Sequence, residues 1–491
     1  MAVSDQRLRH DGRREPCGHE RAHITDSLFH GGGYATQESR RIFCDRCRLQ
    51  RWLRVEAALT SCQERLGMVA PGTAAEVARA GEPGRIDLAA LAPEFRRTGH
   101  SLVPLLRGLE GACEGTAGEM VHLGATTQDI QDTAQSLEMR EVLAEVDAGV
   151  RTMAAVLADL AVEHRESQMP GRTHGQPALP ITFGLKVAGW LDELLRHAER
   201  LGQLRPRVLT AQLSGGVGTM AGFGGRGREL LELFAEELGL GVPMVGWHAA
   251  RDRVAEFGTA LAMLTGTLAR IADEIRVLSR PEVGEVSEGW QYGRVGSSTM
   301  PHKRNPERSA QVVLLARLAR SHAALGIESM VQEHERDSRG LRMEWVAVAD
   351  VSHYTLAALG TLNDVLAGLR VDSGRMAANT RAAAESLCTE AVMLALTPSI
   401  GRQSAHALVY ELSQRARSDG TRLRDCLLAD ATVTKWLSAT DVDALLDPSR
   451  YLGEAQELTD LPVDRARRWL AATGPAEPRR PGPAPAEGSL S

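Results

Sequence analysis

The stretch AEFGTALAMLTGTLARIADEI, residues 255–275, decides the fold. Its apolar side chains recur at three- and four-residue spacing, the period of an α-helix, and spill beyond one narrow stripe. Such a helix is buried on several sides. Comparable runs extend over residues 130–162, 177–204, 252–278, 306–325 and 343–369. Several exceed the globular average of about 11–12 residues, so the chain is expected to be all-α and built on a bundle of long rods. A core shared between subunits would account for apolar surface on so many faces. The spacing keeps no heptad register and glycine-rich breaks interrupt it, which excludes a simple coiled coil.

The 491 residues are enough for a large core divided into roughly two to four lobes. A net charge of −6 supplies no basic surplus for nucleic acid or an anionic membrane. No apolar run reaches the ~18 residues that span a bilayer, and no signal-peptide core opens the chain, so a cytoplasmic location is expected. Seven scattered cysteines suit a reducing compartment better than a disulfide framework. Cys44 and Cys47 fall in an amphipathic stretch, residues 39–66, where three-residue spacing places both on one face of an expected helix.

Three polar, glycine-rich segments stand between the rods. GSSTMPHKRNP, residues 296–306, combines hydroxyls, prolines, a lysine and a carboxamide, a composition for a loop that closes over an anion. Removing a proton next to a carboxylate creates a doubly charged oxygen pair, and Lys303 and Asn305 supply the cation and donor it requires. GRTHGQPALPITFG, residues 171–184, sets Thr173 and His174 before an expected helix whose first turn would hold Pro177 and Pro180. HLGATTQDIQDTA, residues 122–134, leads a Gly-Ala-Thr-Thr-Gln turn into a helix with Asp129 and Asp132 near its positive end. Hydroxyls at a helix amino terminus suit a second carboxylate.

GSSTMPHKRNP resembles the signature loop of the fumarase/aspartase superfamily, and the other two segments resemble its remaining active-site regions. The resemblance extends over residues 26–470. It implies a three-lobed all-α fold whose central bundle is completed by homotetramerisation, with each active site drawn from three chains. Ser297 would be the base that takes the Cβ proton, and His174 the acid toward the leaving group or its orienting residue. Thr126, Thr127, Gln128, Thr173, Gln176, Lys303 and Asn305 would bind substrate, and His122 would assist. His100 lies where some members keep a further histidine, and a surface role fits it equally. Arg251, Arg253, Arg336, Arg339 and Arg342 are candidate carboxylate partners, Arg342 the one preferred. The implied organisation is an N-terminal extension (1–22), an N-terminal helical domain (23–125), a central bundle (126–372) with catalytic loop 284–306, a C-terminal helical domain (373–473) and a proline-rich tail (474–491).

RLQRWLRVEAAL (48–59), LPITFGLK (179–186), WHAARDR (247–253) and GRQSAHALV (401–409) resemble the carboxymuconate cycloisomerase branch. The stretch HERDSRGLRMEW (334–345) lacks the pattern by which adenylosuccinate lyases hold a nucleotide phosphate, which argues for a small substrate. Cycloisomerases of this branch often carry tryptophan at the position of His174, so the histidine favours elimination that releases fumarate. The expected activity is elimination from a small substituted succinate, nitrosuccinate being favoured, with no cofactor or metal. The alternatives are carboxymuconate cycloisomerisation, an adenylosuccinate- or argininosuccinate-type lyase, and a non-enzymatic crystallin-like scaffold.

Overall fold

Helix α6, Thr127–Glu163, is 37 residues long and forms the axis on which the other elements are placed. The computed structural model describes residues 23–290, 296 and 298–472. Before α6 come α1 (Gln37–Phe43), α2 (Asp45–Arg65), α3 (Thr73–Ala80), α4 (Ala92–Thr98) and α5 (Val103–Ala112). After it come α7 (Phe183–Val208), α8 (Gly227–Leu238), α9 (Asp252–Leu278), α10 (Glu307–Glu328) and α11 (Ser338–Ala367). The remainder is α12 (Ser373–Leu387), α13 (Thr389–Ile400), α14 (Arg402–Asp419), α15 (Leu423–Ala429), α16 (Ala431–Thr434), α17 (Ala439–Leu445) and α18 (Ala455–Ala472).

Three apolar cores hold these helices. The largest joins α6, α7, α9, α10 and α11 through residues such as Leu157, Leu191, Leu264, Leu315 and Leu362. Each fully buried side chain of this size contributes about 1.5–3 kcal/mol. A second core packs the first turns of α6 (Ile130, Ala134, Leu137) against α2, α3, α5 and α8. A third lies within residues 387–446. The cores do not follow chain order. Ile42 and Phe43 of α1, and Val463 and Ala466 of α18, belong to the central core, and α18 packs along α7 and α6.

Two local expectations change. Residues 177–182 are not helical: β1 (Gln168–Thr173) and β2 (Gln176–Thr182) form an antiparallel hairpin, and α7 starts only at Phe183. Prolines 170, 177 and 180 withhold backbone donors, so this segment is a two-stranded ribbon with no further strand beside it among the described residues. The expected helix over 39–66 also breaks. Cys44 adopts ψ 147° and separates α1 from α2, so it and Cys47 do not share a continuous helix. A second short ribbon pairs β3 (Val286–Ser287) with β4 (Arg370–Val371). No helix among the described residues is long and apolar enough to cross a membrane.

Candidate active site

At the amino end of α6, His122 and Gly124 both take positive φ, 64° and 74°. A Cβ on Gly124 would lie 2.8 Å from the Gly222 carbonyl and 2.7 Å from the Phe223 ring, so the turn needs glycine there. The imidazole of His122 lies 2.7 Å through Nδ1 from Oε1 of buried Glu56 on α2. Burial opposes its charged form, but the hydrogen bond and charge of Glu56, aided by Asp129, hold its pKa above the ordinary histidine value. Thr126 caps the helix, and its hydroxyl accepts a 2.7 Å bond from Nη1 of Arg336, which also reaches the Gly216 carbonyl.

Beneath this turn is a buried polar network. The carboxylate of Asp129 accepts from the backbone N–H groups of Thr126 (3.0 Å), Ser214 (2.9 Å) and Gly215 (2.9 Å), and lies 2.8 Å from Nε2 of His248. One side chain thereby fastens the α6 turn to the Ser214–Gly215 turn. Further in, fully buried Arg251 grips Asp132 of α6 with two hydrogen bonds and Glu344 of α11 with two more. Burial raises the pKa of Glu344 against the pull of Arg251. Gln128 is buried in this network, its amide donating at 3.0 Å to Asp132 and to the His248 carbonyl.

His174 occupies the tip of the β1–β2 hairpin with φ 52°, exposed beside Thr173 and Gln176, which face each other in register. Its ring makes no hydrogen bond among the described residues. The hairpin base is held more firmly: Arg172 forms a bidentate pair with buried Glu285 at 2.7 and 2.9 Å, and Asn379 donates to the same carboxylate at 2.8 Å. Thr173 and His174 thus stand on a ribbon rather than at a helix start.

The polar loop at 296–306 is drawn together by Asn305, whose amide donates at 2.9 Å to the Gly296 carbonyl. Lys303 is exposed, and the Arg304 guanidinium stacks 5.2 Å from the Trp290 ring centre. Glu288 anchors the start of α10 by accepting from the N–H and hydroxyl of Ser309 at 2.8 and 2.7 Å. Ser297, the expected base, lies outside the described residues.

A family profile described as Lyase matches residues 100–319, and one described as Adenylosuccinate lyase C-terminus matches residues 386–461. N-acetyl-S-(2-succino)cysteine lyase of Dickeya dadantii is 37% identical over 453 residues, 92% of this chain and 99% of that one. The chain belongs to the fumarase/aspartase superfamily. Nitrosuccinate lyase of Streptomyces davaonensis is 38% identical, covering 84% of this chain and 90% of that one. The crystal structure of 3-carboxy-cis,cis-muconate lactonizing enzyme from Pseudomonas putida superposes with a TM-score of 0.82 at 35% identity, over 89% of this chain and 98% of that one.

In this superfamily lyase, one chain gathers His122, Thr126, Thr127 and Gln128 at the end of α6. No hydrogen bond or ion pair among the described residues joins that cluster to the His174 hairpin or to Lys303. Of the candidate arginines, Arg336 touches the α6 turn, whereas Arg251 is consumed by Asp132 and Glu344. Arg339 pairs with Asp337 and Glu333, and half-buried Arg253 donates to the Arg207 carbonyl. Arg342 is exposed on α11 without a polar partner among the described residues. The Nδ1 of His100 accepts from the N–H groups of Leu102 and Val103, capping α5. Sequence reasoning missed Glu56, His248 and the Ser214–Gly216 turn. The only signal for them was the Gly-Gly of LSGGVGT and the histidine of WHAARDR.

Proposed function

We propose that this lyase releases fumarate from a 2-substituted succinate by β-elimination. The Ser297 oxygen takes the Cβ proton, negative charge gathers on the adjacent carboxylate, and the Cα bond to the substituent breaks. The electron pair leaves with the substituent, as nitrite or as a thiolate, and a carbon–carbon double bond remains. Lys303 and Asn305 meet the developing carboxylate charge, and Thr126, Thr127 and Arg336 hold the other carboxylate. His174, with Thr173 and Gln176, orients the leaving group. The observation that carries this reading is the amino end of α6, where the Thr126 hydroxyl at the start of a long helix is hydrogen-bonded to the Arg336 guanidinium, which sets a cation and a hydroxyl side by side as a carboxylate requires.

Separation of the three segments within one chain supports a site completed by other copies, a homotetramer on the superfamily's plan. Apolar side chains left open on the long helices support this too: Met263 is 51% exposed on α9, Ile327 48% on α10 and Val346 49% on α11. The relatives offer two substituents for the succinate, the nitro group and the sulfur of N-acetylcysteine. Fumarate appearance in ultraviolet absorbance, with each compound in turn and with Ser297→Ala alongside, tests the reading. Fumarate from either compound, lost in the variant, is expected. Consumption of 3-carboxymuconate without fumarate from any succinate would replace elimination by cycloisomerisation.

A further inference from the structure

A cavity of about 1240 Å³ opens between α2, the segment 82–96 and the inner face of α6. One wall begins at Gln131, a single turn along α6 from Thr127, on the same face of the helix. The Gln131 side chain is 3% exposed; its amide donates to the Ser101 hydroxyl at 2.9 Å, and its Oε1 has no hydrogen-bond partner among the described residues. A buried carbonyl without a donor costs about 1–3 kcal/mol, which a ligand N–H can recover. Trp52, Phe95 and Trp345 supply apolar surface. At the mouth, Arg48 is taken by Glu138 and Arg85 by Glu82, whereas exposed Arg46 and Arg96 have no ion-pair partner among the described residues. Asp45 and Asp87 line the same mouth.

Apolar walls, a buried acceptor and free charges of both signs are the complement of an amino-acid skeleton. We propose that the cavity is the leaving-group subsite and takes an amino acid linked to the succinate through its side-chain sulfur. This rests on the elimination reading above. The amino acid's carboxylate meets Arg46 or Arg96, its amide or amine N–H faces Oε1 of Gln131, and its carbon chain lies between the tryptophans. When the Cα–S bond breaks, the sulfur departs with the electron pair as a thiolate while the Cβ proton passes to the base.

The test compares the full-length enzyme with Ala89→Trp, which narrows the cavity from an exposed position, and with Arg46→Ala at its mouth. Three substrates are used: succinate bearing N-acetylcysteine through sulfur, succinate bearing free cysteine through sulfur, and nitrosuccinate. The ratio of kcat/KM for the amino-acid substrates to that for nitrosuccinate should fall at least tenfold in both variants. The two cysteine arms tell an amide from an ammonium at Gln131. A ratio that stays within twofold of wild type overturns the subsite, and so does an equal loss on all substrates accompanied by a change in oligomeric mass, which would mean that a second copy fills the cavity. If wild type forms no fumarate from any of them, the elimination reading itself fails. Calorimetry with N-acetylcysteine and cysteine then decides the cavity alone: binding abolished by Ala89→Trp upholds an amino-acid site, and absence of heat ends it.

Discussion

Asp129 shows how one residue can matter to a site without facing it. Its carboxylate collects three backbone donors from two turns and a histidine from a third segment, and Arg336 bridges the same two turns from outside. Asp129→Ala would orphan those donors in a buried place, at a cost of about 3 kcal/mol or more. A drop in Tm of several degrees is expected, with kcat falling further than the lost stability accounts for because Thr126 loses its placement. The His122–Glu56 pair makes a prediction in pH. Since the folded pKa of His122 is raised, the pair's contribution is complete below about 6.5 and is lost as pH rises through the folded value. Glu56→Gln should therefore narrow the Tm gap between mildly acidic and alkaline buffer, and an equal shift at both pH values would refute the pairing. Sequence pattern marked the residues of the HLGATTQD turn as functional, but it could not say which of them face inward. Gln128 reads as a ligand binder in sequence and lies in the polar network in the structure. Gln128 belongs to the first turn of a helix, and only the neighbours of that helix decide the side it faces.

Among the elements, the long helices were readable because their period persists for many turns. The β1–β2 hairpin was not. Three prolines in a short polar stretch are compatible with a helix start as much as with a ribbon, and the deciding contact, Arg172 with Glu285, comes from residues 113 positions apart. Where the hairpin meets α7, Gly184 lets the backbones touch: an added Cβ would sit 2.7 Å from the Ala161 carbonyl and 2.8 Å from the His164 carbonyl. Gly184→Ala is expected to push α7 from α6 at a cost of about 1–3 kcal/mol. The same shift displaces His174 with its ribbon. Fumarate release should fall while the denaturation midpoint moves only partway, and full activity in this variant would show that the ribbon tolerates displacement.

For the whole molecule, no hydrogen bond or ion pair among the described residues joins the three segments that sequence singled out, and the proposed function completes the site from other copies, though no sequence pattern states which copies meet. The expected consequence is complementation. Ser297→Ala and His174→Ala, each inactive alone, should regain part of the wild-type rate when co-expressed, because mixed assemblies of the proposed kind would contain some sites with neither change. Recovery indistinguishable from zero, with mixed assembly verified by native mass spectrometry, would place both residues in one chain's site.

The return of α18 to the central bundle also orders events in time. Arg165 joins Asp460 across 295 positions of sequence, and Val463 and Ala466 seal the seam of α6 and α7. A ribosome delivers the seam long before its lid. During that interval the nascent rods carry an open apolar strip, so stalling of synthesis or truncation before residue 455 should yield a chaperone client rather than a shortened enzyme.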